Sequence, residues 1–182
     1  MSFPLRWLSD YARANTGLRT YERYCLIVNR HLIPEFGAAQ LSKLRPQHIQ
    51  AYYSKALQGG RVDGQEGGLS SQVVHHHHRV LRKALHHAAR WQLIARNPAD
   101  AVEPPRPGHK EMHVLNPEGM RKLLTACDDP DVRAIIFTAI ATGLREGELL
   151  VLRWLDADFD NDSLQVTRSL QYVNRKLNFS EP

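Results

Sequence analysis

Pro98, Pro104, Pro105 and Pro107 crowd into ten residues near the middle of the chain. Proline has no backbone donor and forces the residue before it into extended geometry, so no helix runs through Glu103 to His109. A chain of 182 residues holds one mid-sized domain or two small ones, and this break favours two. The expected layout is a first domain at 1–102, a linker at 103–114 and a second domain at 115–182.

Charge divides the same way. Residues 1–110 carry 16 Lys and Arg against 7 Asp and Glu, whereas residues 111–182 carry 8 against 12. A basic half joined to an acidic half points to a polyanionic partner for the first, the alternative being a set of solvated basic helices. The longest apolar run near the acidic half, Ala134 to Leu144, is too short to span a bilayer. The N-terminus lacks the basic region and apolar block of a signal peptide. Cys25 and Cys127 stand far apart in no metal-ligand spacing, as expected of reduced thiols in a cytoplasmic protein.

Apolar residues at three-to-four spacing predict helices in the first part. Leu5, Leu8, Tyr11 and Ala12 begin one, and Tyr21, Tyr24, Cys25 and Val28 a second. Pro46 suits the first turn of a third. After the glycine-rich stretch GGRVDGQEGGLSS, Ser70 or Ser71 caps a long helix reaching about Ile94. On that helix Val74, His77, Leu81, Ala84, Leu85, Ala88 and Trp91 form one stripe. His77 is therefore a core or boundary residue. The remaining histidines join a basic ridge with Arg79, Arg82, Lys83 and Arg90, either a phosphate-binding surface or a solvated face. His75 and His78 share a face, but no Cys, Asp or Glu sits nearby to complete a metal site.

In the second part, Asn116, Pro117 and Glu118 are a helix start, and Pro130 to Gly143 reads as a buried helix ending on a C-terminal glycine. REGELLVLRW reads as a short helix burying Leu149, Leu150 and Leu152. Thereafter the period changes: alternation around Asn161-Asp162 and Asn174-Arg175 predicts a small antiparallel sheet of two or three strands. The expected fold class is mainly α, a helical bundle followed by an α+β part.

Arg145 follows Thr-Gly-Leu at the start of a helix, with Glu148 three residues on. Two readings stand together. The guanidinium and the helix-start N–H groups face one phosphate, or Arg145 and Glu148 form a surface pair worth a few tenths of a kcal/mol.

ATGLREGELLVLRW, Ala141 to Trp154, closely resembles the first arginine box of the tyrosine recombinase (phage integrase) family. The likeness extends over nearly the whole chain. LRTYERY, LIPEFG, LSKLRPQHIQAYY, LSSQVV and ARWQLIARNPADAV resemble its helical core-binding domain. VLNPEGMRKLL and LRWLDADFDNDSLQVTRSLQ resemble the start of its catalytic domain. The resemblance implies tyrosine attack on a DNA phosphate, a 3′-phosphotyrosyl bond, and arginines that clamp the phosphate oxygens. It implies no metal or nucleotide cofactor, double-stranded DNA as partner and self-association on DNA. Arg145 matches the first catalytic arginine and Glu148 the acidic residue of the same box. DNA contacts are expected at the helix starts, Thr20, Ser70 and Ser71, and on the ridge of Arg79, Arg82 and Lys83.

The sequence also departs from the family pattern. No histidine follows His113, so the His-x-x-Arg box is absent. Tyr172 is the one tyrosine after Arg145, too near it to match the nucleophile, and is expected to pack in the sheet. Lys176 is the one lysine after Arg145, and the family's hairpin lysine would fall just past Pro182. The expectation is a truncated recombinase that binds DNA without cutting it. The alternatives are a standalone DNA-binding regulator or antagonist of recombination, and a helical interaction protein with no nucleic-acid role.

Overall fold

The computed structural model describes residues 3–108 and 111–181. The chain separates into two units, Met1–Lys110 and Glu111–Pro182.

Six helices build the first unit among the described residues. α1 (Phe3–Trp7) continues through a π-helical turn, Leu8–Ala12, into α2 (Arg13–Asn15). α3 (Leu18–Ile27) likewise continues through a π turn, Val28–Leu32, into α4 (Ile33–Phe36). The second π turn ends two residues before Pro34, whose missing N–H and bulky ring disfavour α-helical bonding to the turn before it. α5 (Pro46–Gly59) starts on its proline, and His48 Nδ1 accepts the Arg45 N–H at 3.2 Å. α6 (Ser71–Arg90) is capped by Ser70 Oγ, which accepts the Val73 N–H at 3.3 Å.

One stripe of α6 is the centre of the core. Val74, Leu81, Ala84 and Leu85 are buried there in one cluster with Trp7, Val28, Leu32, Ile49 and Tyr53, and Ala88 is buried on the same stripe. Each fully buried Val, Leu or Ile side chain among them contributes about 1.5–3 kcal/mol. His77 lies in the same stripe, almost wholly buried, as its position predicts. The sequence-based assignment of the remaining histidines to the outer ridge needs correcting, because His78 and His87 are buried too. The helical period places them at the margin of the stripe, and partners on other helices draw them in. Tyr52 OH meets His77 Nδ1 at 2.7 Å and Tyr53 OH meets His78 Nδ1 at 2.8 Å. Trp7 Nε1 donates to His87 Nδ1 at 2.7 Å. An indole N–H only donates, so the His87 ring is neutral with its proton on Nε2.

In the second unit the predicted helix start at Asn116 and helix stop at Gly143 are in place, and Asp129 adds a cap that was not anticipated. Asn116 Oδ1 accepts the Gly119 N–H at 2.8 Å and starts α7 (Pro117–Thr125). Asp129 Oδ1 accepts from Asp131 and Val132 and starts α8 (Pro130–Thr142). Gly143 ends α8 in the left-handed region at φ 67°. α9 (Glu146–Leu149) follows.

Three expectations for this unit do not hold. α8 is not buried: Ile135, Phe137 and Ile140 are 44%, 61% and 41% exposed. Its apolar residues lie all round the helix, a pattern that registers a need for cover without naming what covers it. α9 is only four residues long, and Leu150, expected inside, is exposed while Val151 is buried. The single small sheet is two separate hairpins. β1 (Ala157–Asp158) pairs with β2 (Ser163–Leu164), and β3 (Ser169–Val173) pairs with β4 (Lys176–Ser180), both antiparallel. Residues 165–168 are not strand, so Val166 and Arg168 take no part in the ladder. The second hairpin turns at Asn174-Arg175, both at positive φ (51° and 60°), which suits the right-handed twist of its strands. Among the described residues no helix is long and apolar enough to cross a membrane.

Burial, followed by the nearby His31 and His76 charges, lowers the His77 pKa to about 4 from the ordinary 6.5. The rings of His78 and His87 shift the same way, chiefly through burial. A base whose folded pKa is depressed stabilises the fold above its unfolded pKa, and that stability is lost as pH falls through the folded value. The urea midpoint, followed by helical circular dichroism, should therefore fall between pH 6.5 and about 4. For His77 the expected slope is roughly 1.4 kcal/mol per pH unit within that window, with His78 and His87 adding in the same direction. A midpoint flat across that window would mean that these rings are solvated.

Candidate functional site

Two places gather chemistry: the α8–α9 junction of the second unit and the outer face of α6 in the first.

Arg145 is the N-cap residue of α9, in extended geometry directly after the turn that Gly143 and Leu144 make. Glu148 reaches back with both oxygens. Oε2 accepts the Arg145 backbone N–H at 2.9 Å and Oε1 accepts Nη1 at 3.0 Å. That backbone N–H, and then the guanidinium, hold the Glu148 carboxyl below the usual carboxylate range. Glu148 is buried, whereas the Arg145 side chain is 86% exposed. One carboxylate therefore caps the helix and fixes one end of a guanidinium whose other donors face outward. The idea that helix-start N–H groups join Arg145 around one anion does not fit this arrangement. α9 has a single turn, and Glu148 already occupies the Arg145 N–H.

Four residues at this junction, Gly147, Arg153, Asp156 and Arg168, were not singled out by sequence reasoning. A Cβ built on Gly147 would lie 2.5 Å from the Leu170 carbonyl oxygen and 2.9 Å from Ser169 Oγ. Only glycine lets α9 lie this close to β3. Arg168 Nη2 donates to the Val151 carbonyl at 3.1 Å, and its guanidinium lies 5.7 Å from the centre of the Phe179 ring. Arg153 and Asp156 repeat the Arg145–Glu148 device. Asp156 Oδ2 accepts the Arg153 N–H at 2.9 Å, and Oδ1 accepts Nη2 at 3.0 Å. The shared Arg-x-x-acid spacing was a legible signal for that second pair, whereas the contact at Gly147 left none. Tyr172, expected to pack in the sheet, pairs with Leu177 across the hairpin and is itself exposed. Lys176 opens β4 and is exposed.

On the first unit a groove runs along α6, bounded by His75, Arg79, Arg82, Lys83 and His86, with Asn97 across it. Arg79, Arg82 and Lys83 thus come together. Their side chains are held differently. Arg79 is exposed and makes no ion pair among the described residues. Arg82 Nε donates to Asp100 Oδ1 at 2.6 Å. Lys83 is half-buried, with Nζ 3.5 Å from Tyr24 OH and 5.6 Å from the centre of that ring. Ser70 and Ser71 stand at the start of the same helix, the Ser70 hydroxyl engaged in the cap. Thr20 is exposed on α3, on a different helix from the ridge.

Comparison with known proteins agrees with this architecture. The model of the phage integrase N-terminal SAM-like domain matches residues 2–57. An integrase of Saccharopolyspora erythraea is 29% identical over 180 residues, covering 97% of this chain and 39% of its own length. A XerC-like tyrosine recombinase of Caldanaerobacter subterraneus subsp. tengcongensis is 28% identical over 174 residues, covering 92% of this chain and 42% of its own. The Tn1549 transposon integrase, solved in complex with a circular intermediate DNA, superposes with a TM-score of 0.78 at 18% identity. That superposition covers 100% of this chain and 58% of the integrase chain, and shows the shared fold. Over nearly its whole length the chain is similar to integrases and to a XerC-like tyrosine recombinase, and its residues 2–57 match the phage integrase SAM-like domain. It spans about two fifths of the length of these curated relatives.

Gly147→Ala should disturb the junction, since a backbone carbonyl cannot rotate away from the new methyl. Overpacking of this kind costs about 1–3 kcal/mol. The expected result is a lower urea midpoint for the second unit and faster amide exchange at 145–151. An unchanged midpoint would mean that α9 is not pressed against β3.

Proposed function

We propose that these 182 residues are the DNA-binding part and the first phosphate-gripping element of a site-specific recombinase. The observation that carries this reading is the α6 groove, with three basic side chains along one wall in a chain whose relatives are integrases. Residues 1–102 bind double-stranded DNA across that face. Thr20, Ser70 and Ser71 contribute hydroxyls and helix-start N–H groups to the phosphate backbone.

Arg145 is the group that meets the reacting phosphate. A phosphoryl centre under attack gathers negative charge on its non-bridging oxygens. A guanidinium already fixed in place stabilises that charge without reorganising at the moment of reaction. Glu148 is a positioning residue that keeps the fork aimed. Breaking the strand also needs a nucleophile and a proton donor for the leaving oxygen. Tyr172 stands on β3 close in sequence to Arg145, and no histidine follows His113 within these residues. On this reading, residues 1–182 bind and grip DNA without cleaving it.

Gel-shift titration at two salt concentrations tests the proposal. Binding that falls steeply with salt is expected, because each phosphate that a cation neutralises releases counterions. Replacing Arg79, Arg82 and Lys83 together by alanine should weaken binding. The log–log salt slope should become shallower by about 0.9 for every phosphate the variant no longer neutralises. Salt-insensitive or absent binding by the unaltered chain would refute a DNA partner. Unchanged binding by the triple variant would move the interface off α6.

A further inference from the structure

Arg82 is held in a way that separates it from the other basic residues of α6. Asp100 Oδ1 accepts its Nε at 2.6 Å. Asp100 is itself anchored: buried Asn97 donates through Nδ2 to Asp100 Oδ1 at 3.4 Å and to the Arg82 carbonyl at 3.1 Å. Asn97 Oδ1 also accepts the Ala99 N–H at 3.0 Å, which caps the turn Pro98–Ala101 that carries Asp100. One asparagine thus ties the backbone of Arg82 to the turn that supplies its side-chain partner. Among the described residues, the two Nη groups of Arg82 donate to nothing, and the side chain is 58% exposed.

Such an arrangement suits one kind of nucleic-acid contact better than another. A phosphate anchor acts through net charge and counterion release. The Arg82–Asp100 pair carries no net charge, and its carboxylate repels an approaching phosphate. Reading a base edge depends instead on the plane and direction of the fork. A guanidinium gripped through Nε keeps its Nη edge free and oriented. In the major groove that edge matches guanine, whose O6 and N7 are adjacent acceptors, and the groove admits an α-helix. Arg79, with no ion pair among the described residues, has the free charge a phosphate contact uses.

We infer that Arg82, buttressed by Asp100 and Asn97, is a guanine-reading residue of α6, with Arg79 contacting the backbone. This inference rests on the proposed DNA-binding function and adds a sequence-specific role to it.

The test is binding-site selection from a randomised duplex pool with the full chain, followed by titration of the selected site and of variants in which each guanine is replaced. The unaltered protein should prefer guanine at one position by roughly 5- to 150-fold, the range for a good bidentate pair. Arg82→Ala and Arg82→Lys should lose that preference, the lysine variant while keeping affinity for duplex DNA in general. Asp100→Asn should reduce the preference without flattening the salt dependence. Arg79→Ala should weaken all sequences alike and leave the preference intact. The inference is overturned if Arg82→Lys keeps the full preference. It is also overturned if Arg82→Ala weakens all sequences equally while the salt slope drops by about 0.9, the mark of a phosphate contact. Absence of any binding by the unaltered chain would remove the parent function as well, so the two failures are distinguishable.

Discussion

Everything in the first unit depends on how α6 is seated. A twenty-residue helix carrying six histidines buries three of them. A buried imidazole without a partner is costly, and three aromatic side chains on other elements remove that cost. Trp7, Tyr52 and Tyr53 each meet an Nδ1. These bonds do what aliphatic packing alone does less well. They fix the rotation of α6 about its axis, because each pairs one aromatic side chain with one imidazole ring. The rotation then decides which side chains face outward. Arg79 and Arg82 stand on the open face because His77, His78 and His87 are turned in.

The second unit relies on a different device. Its helices are short, and α8 is uncovered on several sides, so little hydrophobic burial holds the α8–α9 junction. Polar and steric constraints act there instead. Gly143 ends α8 in the left-handed region, Glu148 caps α9 and fixes Arg145, and Gly147 allows contact with β3. Arg153 and Asp156 repeat the cap directly downstream. An arginine that is 86% exposed yet tied at both its backbone and one Nη combines accessibility with restricted motion. Gripping a phosphate needs both.

The two sites differ in how their charge is arranged. The α6 groove offers spread charge and one fixed fork, suited to holding and reading a long polyanion. The α9 junction offers one fixed guanidinium, suited to a single phosphate.

Much of this was legible in the sequence, for local reasons. Pro46, Ser70, Asn116, Pro117 and Gly143 mark helix ends through backbone geometry and capping that involve only their near neighbours. The proline cluster dictated where helices stop, and the charge imbalance showed which half is basic. Arg145 and Glu148 stood out through their motif. The burial of His78 and His87, the pairing of Arg82 with Asp100, the two-hairpin arrangement and the need for glycine at 147 were not legible. Each depends on a partner that the linear pattern does not name. Trp7 and His87 lie 80 residues apart, Arg82 and Asp100 lie 18 apart, and Gly147 meets Leu170 from another element. The sequence by itself determined where elements begin and end and where charge lies, because those follow from short-range sterics and composition. Only the tertiary structure decided which histidines turn inward and which guanidinium edges stay free, because both depend on long-range contacts.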